Sequence, residues 1–487
     1  MEDNNTKQPL LSSIDEEQLV PQLSGQRYLS SHSFTSSFVA DGDDIAPITG
    51  IDGFVKAFNV ESKKLWYLAG PAIFTSVCQY SLGAITQTFA GHIGTLELAA
   101  FSIENTVIAG LSYGVMWGMG SALETLCGQA YGAGQIDMLG VYMQRSWVIL
   151  LATSVLLTLI YVFAEPILLL LGQDKDISRV AARYSLWMIP QLYAYAMNFP
   201  IAKFLQAQSK IMAMAWISAV ALVLHVLFSW LFMLRLGWGM VGGAWVLNFS
   251  WWFIVVGQLV YIFSGTCDRA WSGFSWQAFQ NLWGFVKLSM ASAVMLCLEI
   301  WYLTALLLFA GYLKNAQVAV DALSICLNIM VWTMMLSIGF NAAVSVRVSN
   351  ELGATHPRTA KFSMVVVVIS AFLLSLLISI ILLIFQKQYP FIFAENSEVI
   401  EVVYQLTPLL AFCIVVNNVQ PALSGVAIGA GWQTLVAYVN IACYYIFGIP
   451  LGLLMGYTLN MGVQASVASE RIRRWGGEPE VKTIMEK

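Results

Sequence analysis

Residues 295–313 read MLCLEIWYLTALLLFAGYL, and Glu299 is the single charged side chain among them. Wound as an α-helix, a stretch of this length extends about 28 Å, close to the thickness of the hydrocarbon core of a bilayer. The whole chain has this character, since 58% of its 487 residues are hydrophobic and 11% are charged, with a mean hydropathy of +0.70. A soluble domain carries about 25% charged residues. The composition therefore predicts an all-α protein that crosses a membrane many times.

Apolar runs long enough to span a bilayer recur eleven times along the chain. They cover residues 66–90, 98–126, 141–164, 184–206, 211–234, 239–264, 284–311, 317–344, 362–386, 402–428 and 434–459. Basic residues are more frequent in the loops that would be internal, which favours a cytoplasmic N-terminus. The predicted domains are a disordered cytoplasmic tail (1–60), an N-lobe of six helices (61–265), an inter-lobe loop (266–283), a C-lobe of five helices (284–464) and a basic C-terminal tail (465–487).

The two lobes share a weak internal repeat. SALETLCGQAYGAG, from Ser121, matches AAVSVRVSNELGAT, from Ala342, in a register that aligns Gly132 with Gly353. Because six spans separate the copies, both begin on the same side of the membrane. This predicts two pseudo-symmetric bundles that face each other across an axis along the membrane normal, with a substrate site between them. GQAYGAG and SNELGATHP each place a glycine after a helix, where glycine allows the left-handed turn that ends the helix.

Glu299 lies well inside its span, near the predicted bilayer centre. An ionised carboxylate at that depth costs at least about 2.5–3.5 kcal/mol, so the protonated, neutral form is favoured. Such a carboxyl group, facing a cavity that opens to each side in turn, predicts a proton carrier. The alternative is a neutral glutamic acid that is hydrogen-bonded to a neighbouring helix. Glu104 is nearer the end of its own span, and we expect its carboxylate to extend to water.

Polar and aromatic side chains within other spans are candidates for lining the substrate cavity. These candidates are Asn417, Asn418, Gln420, Tyr113, Trp117 and Trp332. The three amides lie beside Pro421, which interrupts helical hydrogen bonding, and the aromatic rings suit a flat organic substrate. Hydrogen bonds between helices explain the amides about as well, and aromatic packing between helices is favoured as the explanation of any single aromatic residue.

Several classes of function are disfavoured by the sequence. A net charge of −4 provides no basic footprint for nucleic acid. His92 and His225 have no acidic partner or second histidine at ligand spacing, so we predict no metal site. The spans hold no cluster of paired acids, or of a nucleophile and a base, so we predict that the chain is not an enzyme. We expect a monomer without a cofactor, with a proton as its coupling ion, whose partners are the lipid bilayer and a small organic substrate.

Taken together, the motifs resemble the multidrug and toxic compound extrusion (MATE) transporters, and most closely their plant branch. The stretches that carry the resemblance occur in family order between residues 60 and 464: ALETLCGQAYGAG, PQLYAYAMNFPIAKFLQAQSK, MLCLEIWY, SVRVSNELGATHP, PALSGVAIGAGWQ and YVNIACYYIFGIPLG. The resemblance implies two six-helix lobes and an antiporter that exports organic solutes from the cytosol in exchange for a cation, usually a proton in the plant branch. The family's acidic residue in the seventh helix falls on Glu299, which would be the proton site.

The chain departs from the family pattern at two places. Asn417 stands where many relatives have an aspartate in the tenth helix, as it does in a subgroup that resembles vacuolar flavonoid and anthocyanin carriers. This likeness implies flavonoid glycosides, or other secondary metabolites and xenobiotics, as substrates, and favours the vacuolar over the plasma membrane. After Gln464 the chain continues at once as ASVASERIRRWGGEPE, where relatives have a twelfth helix. We therefore expect six plus five helices here, and impaired or absent transport.

The main alternative is an anion channel or uniporter on the same scaffold. A channel needs a continuous pore, usually with rings of charged side chains or backbone carbonyl groups. We find no such ring in the sequence, although a single chain could build one from distant spans.

Overall fold

The computed structural model describes residues 44–267, 269–310, 316–394 and 396–454. Within these residues the chain forms eleven long helices. They are α1 (Gly50–Ile93), α2 (Thr95–Gly132), α3 (Met138–Val162), α4 (Lys175–Ala207), α5 (Ile211–Arg235), α6 (Gly239–Thr266), α7 (Leu282–Ala310), α8 (Ala316–Gly353), α9 (Pro357–Ile384), α10 (Ser397–Ala430) and α11 (Gln433–Leu451). Short helices at Ala164–Leu170, Trp276–Phe279 and Tyr389–Ile392 lie in the connections.

The prediction of an all-α, multi-pass membrane protein is confirmed. Ten of these helices are long and apolar enough to cross a membrane. The remaining one, α4, is 33 residues long and contains Pro190 and Pro200. Because α1 begins at Gly50, residues 50–60 of the predicted tail are helical. The rest of that tail up to residue 43, and the region after residue 454 where a twelfth helix was expected to be missing, lie outside the described residues, and the predicted domain boundaries stay predictions.

Apolar packing divides the helices into two bundles. Buried side chains of α2, α3, α4 and α6 form one large core, in which Phe101, Leu123 and Phe204 are fully buried. A second core joins α8, α9 and α10 around Phe340 and Val366. Lipid tails are as apolar as these side chains, so close van der Waals packing and interhelical hydrogen bonds stabilise each bundle within the membrane.

One helix, α1, is shared between the bundles. Leu82 and Ala90, in its C-terminal half, belong to the core of the first bundle. Leu65 and Leu68, in its N-terminal half, pack in the core of the second bundle. The first helix therefore crosses from one bundle to the other along its length.

The two bundles meet at the C-terminal ends of α2 and α8. A β-carbon on Gly132 would collide with the carbonyl oxygen of Asn350, and one on Gly353 would collide with the carbonyl oxygen of Gln129. The register that aligns Gly132 with Gly353 in the sequence repeat also aligns Gln129 with Asn350. The repeat therefore appears in the fold as a symmetric contact between helix ends.

The left-handed turn expected at a glycine after the helix is confirmed for GQAYGAG, at Gly134 (φ 74°). For SNELGATHP the expectation is wrong, because the positive φ angle falls at Thr355 (64°) and not at Gly353. What requires glycine at positions 132 and 353 is the close approach of a backbone from the other bundle, which leaves no space for a side chain.

Candidate functional site

Glu299 lies on α7 and is hydrogen-bonded to α10. Its Oε2 accepts a 3.1 Å hydrogen bond from Nε2 of Gln420, which also donates to Oγ of Ser424 at 3.2 Å. Gln420 and Ser424 are four residues apart and therefore share one face of α10. In the part of the chain that the structure describes, Glu299 forms no ion pair. The structure thus brings the predicted proton site together with one predicted cavity residue.

Two tyrosines that the sequence analysis did not select lie beside this pair. Tyr444 is close enough to Glu299 for electrostatic interaction, and its ring stacks on Tyr302 of α7 with 4.7 Å between ring centroids. Tyr445 donates from its hydroxyl to the carbonyl oxygen of Leu298 at 2.9 Å. Both Tyr444 and Tyr445 belong to a π-helical part of α11. Such π-helical segments often occur at functional sites, but the hydrophobic pattern of the sequence does not reveal them.

The predicted amides Asn417 and Asn418 are engaged elsewhere. Asn418 is buried, and its Oδ1 accepts a 2.8 Å hydrogen bond from Ser337 of α8. Asn417 donates at 3.0 Å to a backbone carbonyl one turn earlier in α10. Asn417 lies one turn before Gln420 on the same helix face, yet no hydrogen bond joins it to Glu299 among the described contacts. Of the three predicted amides, Gln420 alone is hydrogen-bonded to the acid in this conformation.

The aromatic candidates Tyr113 and Trp117 lie on α2, across from α7. Tyr113 packs edge-on against Tyr195 and Phe199 of α4, at 5.3 and 5.5 Å between ring centroids. Trp117 packs against a buried cluster that includes Met295 of α7. Since Met295 is one turn before the acidic residue of α7, Trp117 connects the first bundle to the helix that carries the proton-site candidate.

Trp332 is placed apart from the other candidates. It lies on α8 and is 40% exposed. Its ring packs edge-on against Tyr80 of α1 with 4.9 Å between ring centroids. The structure gives Trp332 a packing partner on α1, and its role in a substrate cavity stays a prediction.

Glu104 is buried in the first bundle, so the prediction that its carboxylate extends to water is wrong. Its side chain is 1% exposed. It begins a π-helical turn, Glu104–Ile108, that interrupts α2 and packs against α4. Depth along a span suggested access to water, but the helix face on which a residue lies decides its burial.

A buried ionic network joins α1 to α8, and the sequence analysis did not find it. Arg347 is 1% exposed, and its Nε and Nη2 donate to the two carboxylate oxygens of Glu61 at 2.9 and 3.0 Å. Its Nη1 lies 2.6 Å from Oε1 of Glu351, whose Oε2 lies 2.9 Å from Nδ1 of His356. A two-point guanidinium–carboxylate pair is strong and fixes geometry. The network therefore holds the N-terminal half of α1 against the second bundle.

Comparison with known protein families identifies relatives over most of the chain. The family model described as MatE matches residues 71–231 and 291–454. Protein DETOXIFICATION 31 of Arabidopsis thaliana is 60% identical over 517 aligned positions, which cover 99% of each chain. Protein DETOXIFICATION 29 of the same plant is 63% identical over 473 positions, which cover 91% of this chain and 95% of the relative. The first alignment exceeds the 487 residues of this chain by 30 positions (517 − 487), so at least that many residues of the relative have no counterpart here.

Solved structures give the same result for the fold. The crystal structure of the eukaryotic MATE transporter AtDTX14 superposes with a TM-score of 0.79 at 33% identity, covering 84% of this chain and 91% of that one. The Vibrio cholerae MATE transporter VcmN, in its bent form, superposes with a TM-score of 0.73 at 17% identity, covering 84% and 92% of the two chains. The second match supports the fold alone.

Proposed function

Because the chain belongs to the MATE family of membrane transporters, we propose that it is a proton-coupled antiporter that moves organic solutes out of the cytosol. The observation that carries this proposal is the hydrogen bond from Gln420 to Glu299. It supplies a donor to an acid inside a membrane helix that has no cationic partner among the described residues. An acidic side chain in such a place is expected to serve function.

The two protonation states of Glu299 need different partners. An ionised carboxylate accepts hydrogen bonds only, and Nε2 of Gln420 is in position to donate one. A protonated carboxyl also donates, and its electrostatic effect on the nearby Tyr444 phenol is lost. Since stacked Tyr302 and Tyr444 join α7 to α11, binding or loss of a proton alters the packing between these helices. That change of packing is the proposed link between proton binding and the release of solute.

Access from the cytosol depends on the contact between the bundles. The predicted topology assigns the C-terminal ends of α2 and α8 to the cytosolic side. In the present conformation Gly132 and Gly353 lie against backbone from the other bundle at these ends. We propose that this contact blocks entry from the cytosol and that it opens once in each transport cycle.

The proposed substrates are flavonoid glycosides or related secondary metabolites and xenobiotics, and the proposed location is the vacuolar membrane. Support comes from Asn417, which resembles the vacuolar carrier subgroup at this position, and from the many aromatic side chains on α2 and α4. Trp117 packs against the cluster that includes Met295 of α7, and the ring centroid of Tyr113 lies 6.2 Å from that of Trp117. Flat, glycosylated ring systems suit such surroundings.

The substitution Glu299→Gln tests this function, because the amide keeps the shape of the neutral acid and cannot titrate. The protein is placed in sealed vesicles with an imposed pH gradient, and uptake of flavonoid glycosides, alkaloids and chloride is measured. We expect normal insertion and at least a tenfold loss of gradient-driven uptake. The control is Glu398→Gln, which removes an exposed carboxylate from the N-terminus of α10.

Two results would contradict the proposal. If Glu299→Gln accumulates substrate against its gradient as well as the parent does, Glu299 is structural. If chloride crosses the membrane irrespective of the pH gradient, the chain is an anion channel or uniporter.

We further propose that the residues missing relative to DETOXIFICATION 31 include a twelfth helix, and that transport is impaired without it. The gap of at least 30 positions is long enough for one helix, which needs about 20 apolar residues. Inserting the twelfth helix of that relative after Gln464 should raise transport. A cysteine at Ser466, labelled from each side, should move from the outer or luminal side to the cytosolic side on insertion. Full transport activity of the chain as it stands, with the cysteine at Ser466 labelled from the cytosolic side, would refute this proposal. If the chain is inactive, the Glu299→Gln comparison is made in the protein that carries the inserted helix.

A further inference from the structure

We propose that Glu104 is a second proton-binding site, enclosed in the first bundle between α2, α3 and α4. The binding of a proton at this carboxyl group stands by itself. Its part in coupling rests on the proposed function of the chain as an antiporter.

The carboxyl group of Glu104 has nothing to balance a negative charge. Its side chain is 1% exposed, and Oε1 accepts no hydrogen bond. In the described part of the chain it forms no ion pair, and the buried Lys203 of the same bundle is already paired with Glu124 at 2.7 Å. Burying an unpaired carboxylate is strongly unfavourable, and a group in this position becomes neutral instead. The arrangement therefore requires a bound proton while the site is enclosed.

The titratable groups that face Glu104 are phenols. Tyr161 of α3, and Tyr184 and Tyr195 of α4, lie close enough to its carboxyl for electrostatic interaction. The hydroxyl group of Tyr184 is buried without a hydrogen-bond partner, and the hydroxyl group of Ser112 interacts with that of Tyr161. A hydroxyl group can donate to a carboxylate and can accept from a carboxylic acid. The surroundings can therefore adapt to either protonation state of the acid.

Another ionisable side chain in the same bundle shows what a structural role looks like. Nε2 of His225 lies 3.0 Å from Oγ1 of Thr86, and Nδ1 lies 2.9 Å from Oγ of Ser250. Both ring nitrogens are paired, so this histidine completes the packing of α1, α5 and α6. Glu104 lacks such pairing, and it stands at the start of a π-helical turn, a feature that recurs at functional sites.

The chemistry of the site favours a proton over a metal cation. A hard cation such as Ca²⁺ takes six to eight oxygen ligands and usually several carboxylates. Within the described residues, no group of three or more His, Cys, Asp or Glu side chains could hold a metal ion. The titratable groups near Glu104 are phenols, and a single proton is enough to neutralise its carboxylate.

A proton at Glu104 would also restore a second titratable group to the transporter. Asn417 cannot titrate, so the second bundle offers Glu299 as its acid near α10. With Glu104, each bundle has one carboxyl group that lies inside a span without a cationic partner among the described residues. The inference is that two protons move per cycle, one through each bundle.

Infrared absorption of protonated carboxyl groups in the purified, membrane-reconstituted protein tests the binding. At neutral pH we expect the carboxylic acid absorption to fall by one group in Glu104→Gln and by one group in Glu299→Gln. The control Glu398→Gln should leave it unchanged, because the Glu398 side chain is exposed to solvent. An unchanged absorption in Glu104→Gln would overturn the proposal. So would a protonated band that disappears when sodium chloride is added at constant pH, since that identifies a cation site.

The second readout is the number of protons moved per substrate in vesicles. Glu104→Gln should lower this number by one and keep substrate binding, whereas Glu299→Gln should abolish coupling. An unchanged proton number in Glu104→Gln contradicts the role of Glu104 in coupling. If Glu299→Gln couples normally while the Glu104 band is present, the proposed role of Glu299 fails and the Glu104 site stands. If the parent moves substrate irrespective of the pH gradient while the band is present, the proposed function fails and the site stands. Should Glu104→Gln not fold, Tyr184→Phe removes one hydroxyl group that faces the acid. It should shift the pH at which the band titrates, and an unshifted titration counts against the site.

Discussion

The side-chain amide of Gln129 donates a 3.2 Å hydrogen bond to the carbonyl oxygen of Gly429, and this bond joins the end of α2 to the end of α10. Asn350, the counterpart of Gln129 in the sequence repeat, donates to the carbonyl oxygen of Ala207 at the end of α4, also at 3.2 Å. Each bundle thus donates one hydrogen bond from a side-chain amide to the other bundle and accepts one from it. These two hydrogen bonds are equivalent under the sequence repeat, so we expect the two of them to contribute equally to closure.

Adding one methyl group at either helix end should open this contact. Gly132→Ala and Gly353→Ala each place a β-carbon against backbone of the other bundle, and overpacking of this kind costs about 1–3 kcal/mol. That corresponds to a shift of roughly 5- to 150-fold away from the closed state. Hydrogen exchange at the ends of α2 and α8 should rise by similar factors in the two variants. Gly83→Ala, where a β-carbon meets nothing within 4 Å, should behave like the parent.

Asn417→Asp should introduce a second acid on the face of α10 that holds Gln420. The two positions are one turn apart, so the new carboxyl would compete for protons with the Glu299 site. We expect a displaced pH optimum of transport in Asn417→Asp, and altered substrate affinity with little change of coupling in Asn417→Ala. Transport measured over a range of pH in both variants separates these effects. An unaltered pH profile in the aspartate variant would mean that position 417 is remote from the proton path.

Replacement of Arg347 in the α1–α8 network should lower the free energy of unfolding substantially. Arg347→Met leaves Glu61 buried without the guanidinium group that faces both of its oxygens. Removing one partner of a buried ion pair costs roughly 3–5 kcal/mol. Thermal unfolding in detergent should show a large drop for Arg347→Met and almost none for Arg358→Met, which replaces an exposed side chain on α9. Equal unfolding temperatures for the two variants would show that the network does not stabilise the position of α1.

Asp44 should make the stability of the α9 N-terminus dependent on pH. Its carboxylate accepts hydrogen bonds from the backbone N–H groups of Ile45, Arg358 and Thr359 and from the Thr359 hydroxyl, at 2.8–3.1 Å. Burial raises the pKa of this carboxyl, but these hydrogen bonds outweigh burial and hold the pKa below its ordinary value. The stabilisation of the α9 N-terminus by the Asp44 carboxylate is therefore complete above the unfolded-state pKa of about 3.9. It is lost as the pH falls through the lower folded-state pKa.

Two substitutions at Asp44 test whether its stabilising effect is lost as the pH falls. Asp44→Ala should lower the unfolding temperature at neutral pH, because the cap is lost. Asp44→Asn should keep an oxygen acceptor at all pH values and so flatten the decline below about pH 4. A parent protein whose stability rises as the pH falls through this range would contradict the assignment.

The sequence was sufficient for the parts of the fold that depend on apolarity. Long apolar runs predicted the spans, and the internal repeat that aligns Gly132 with Gly353 predicted the pairing of the bundles. The sequence also singled out Glu299 and Gln420, since an acid and an amide inside spans are conspicuous. The structure adds that these two side chains are hydrogen-bonded.

What could not be predicted depends on helix rotation and on distant partners. Burial of Glu104 follows from the face of α2 that a π-helical turn directs inward, and no periodic pattern in the sequence marks such a turn. Tyr444 approaches α7 within another π-helical segment. The pairing of Glu61 with Arg347 was not predicted, because the two residues are 286 positions apart in the sequence. Local patterns carry no information on contacts of this kind.

The pairing of Glu61 with Arg347 also sets an order of events during synthesis. The two residues are 286 positions apart, and at ribosomal rates of about 5–20 residues per second the arginine follows the glutamate after about 15 to 60 s. For that interval the first helix is in or at the bilayer without the cation that neutralises it. We infer that α1 stays able to move until α8 is inserted, and that its final docking is a late step of assembly. A nascent chain that stalls before residue 347 would leave the Glu61 carboxylate without this guanidinium partner.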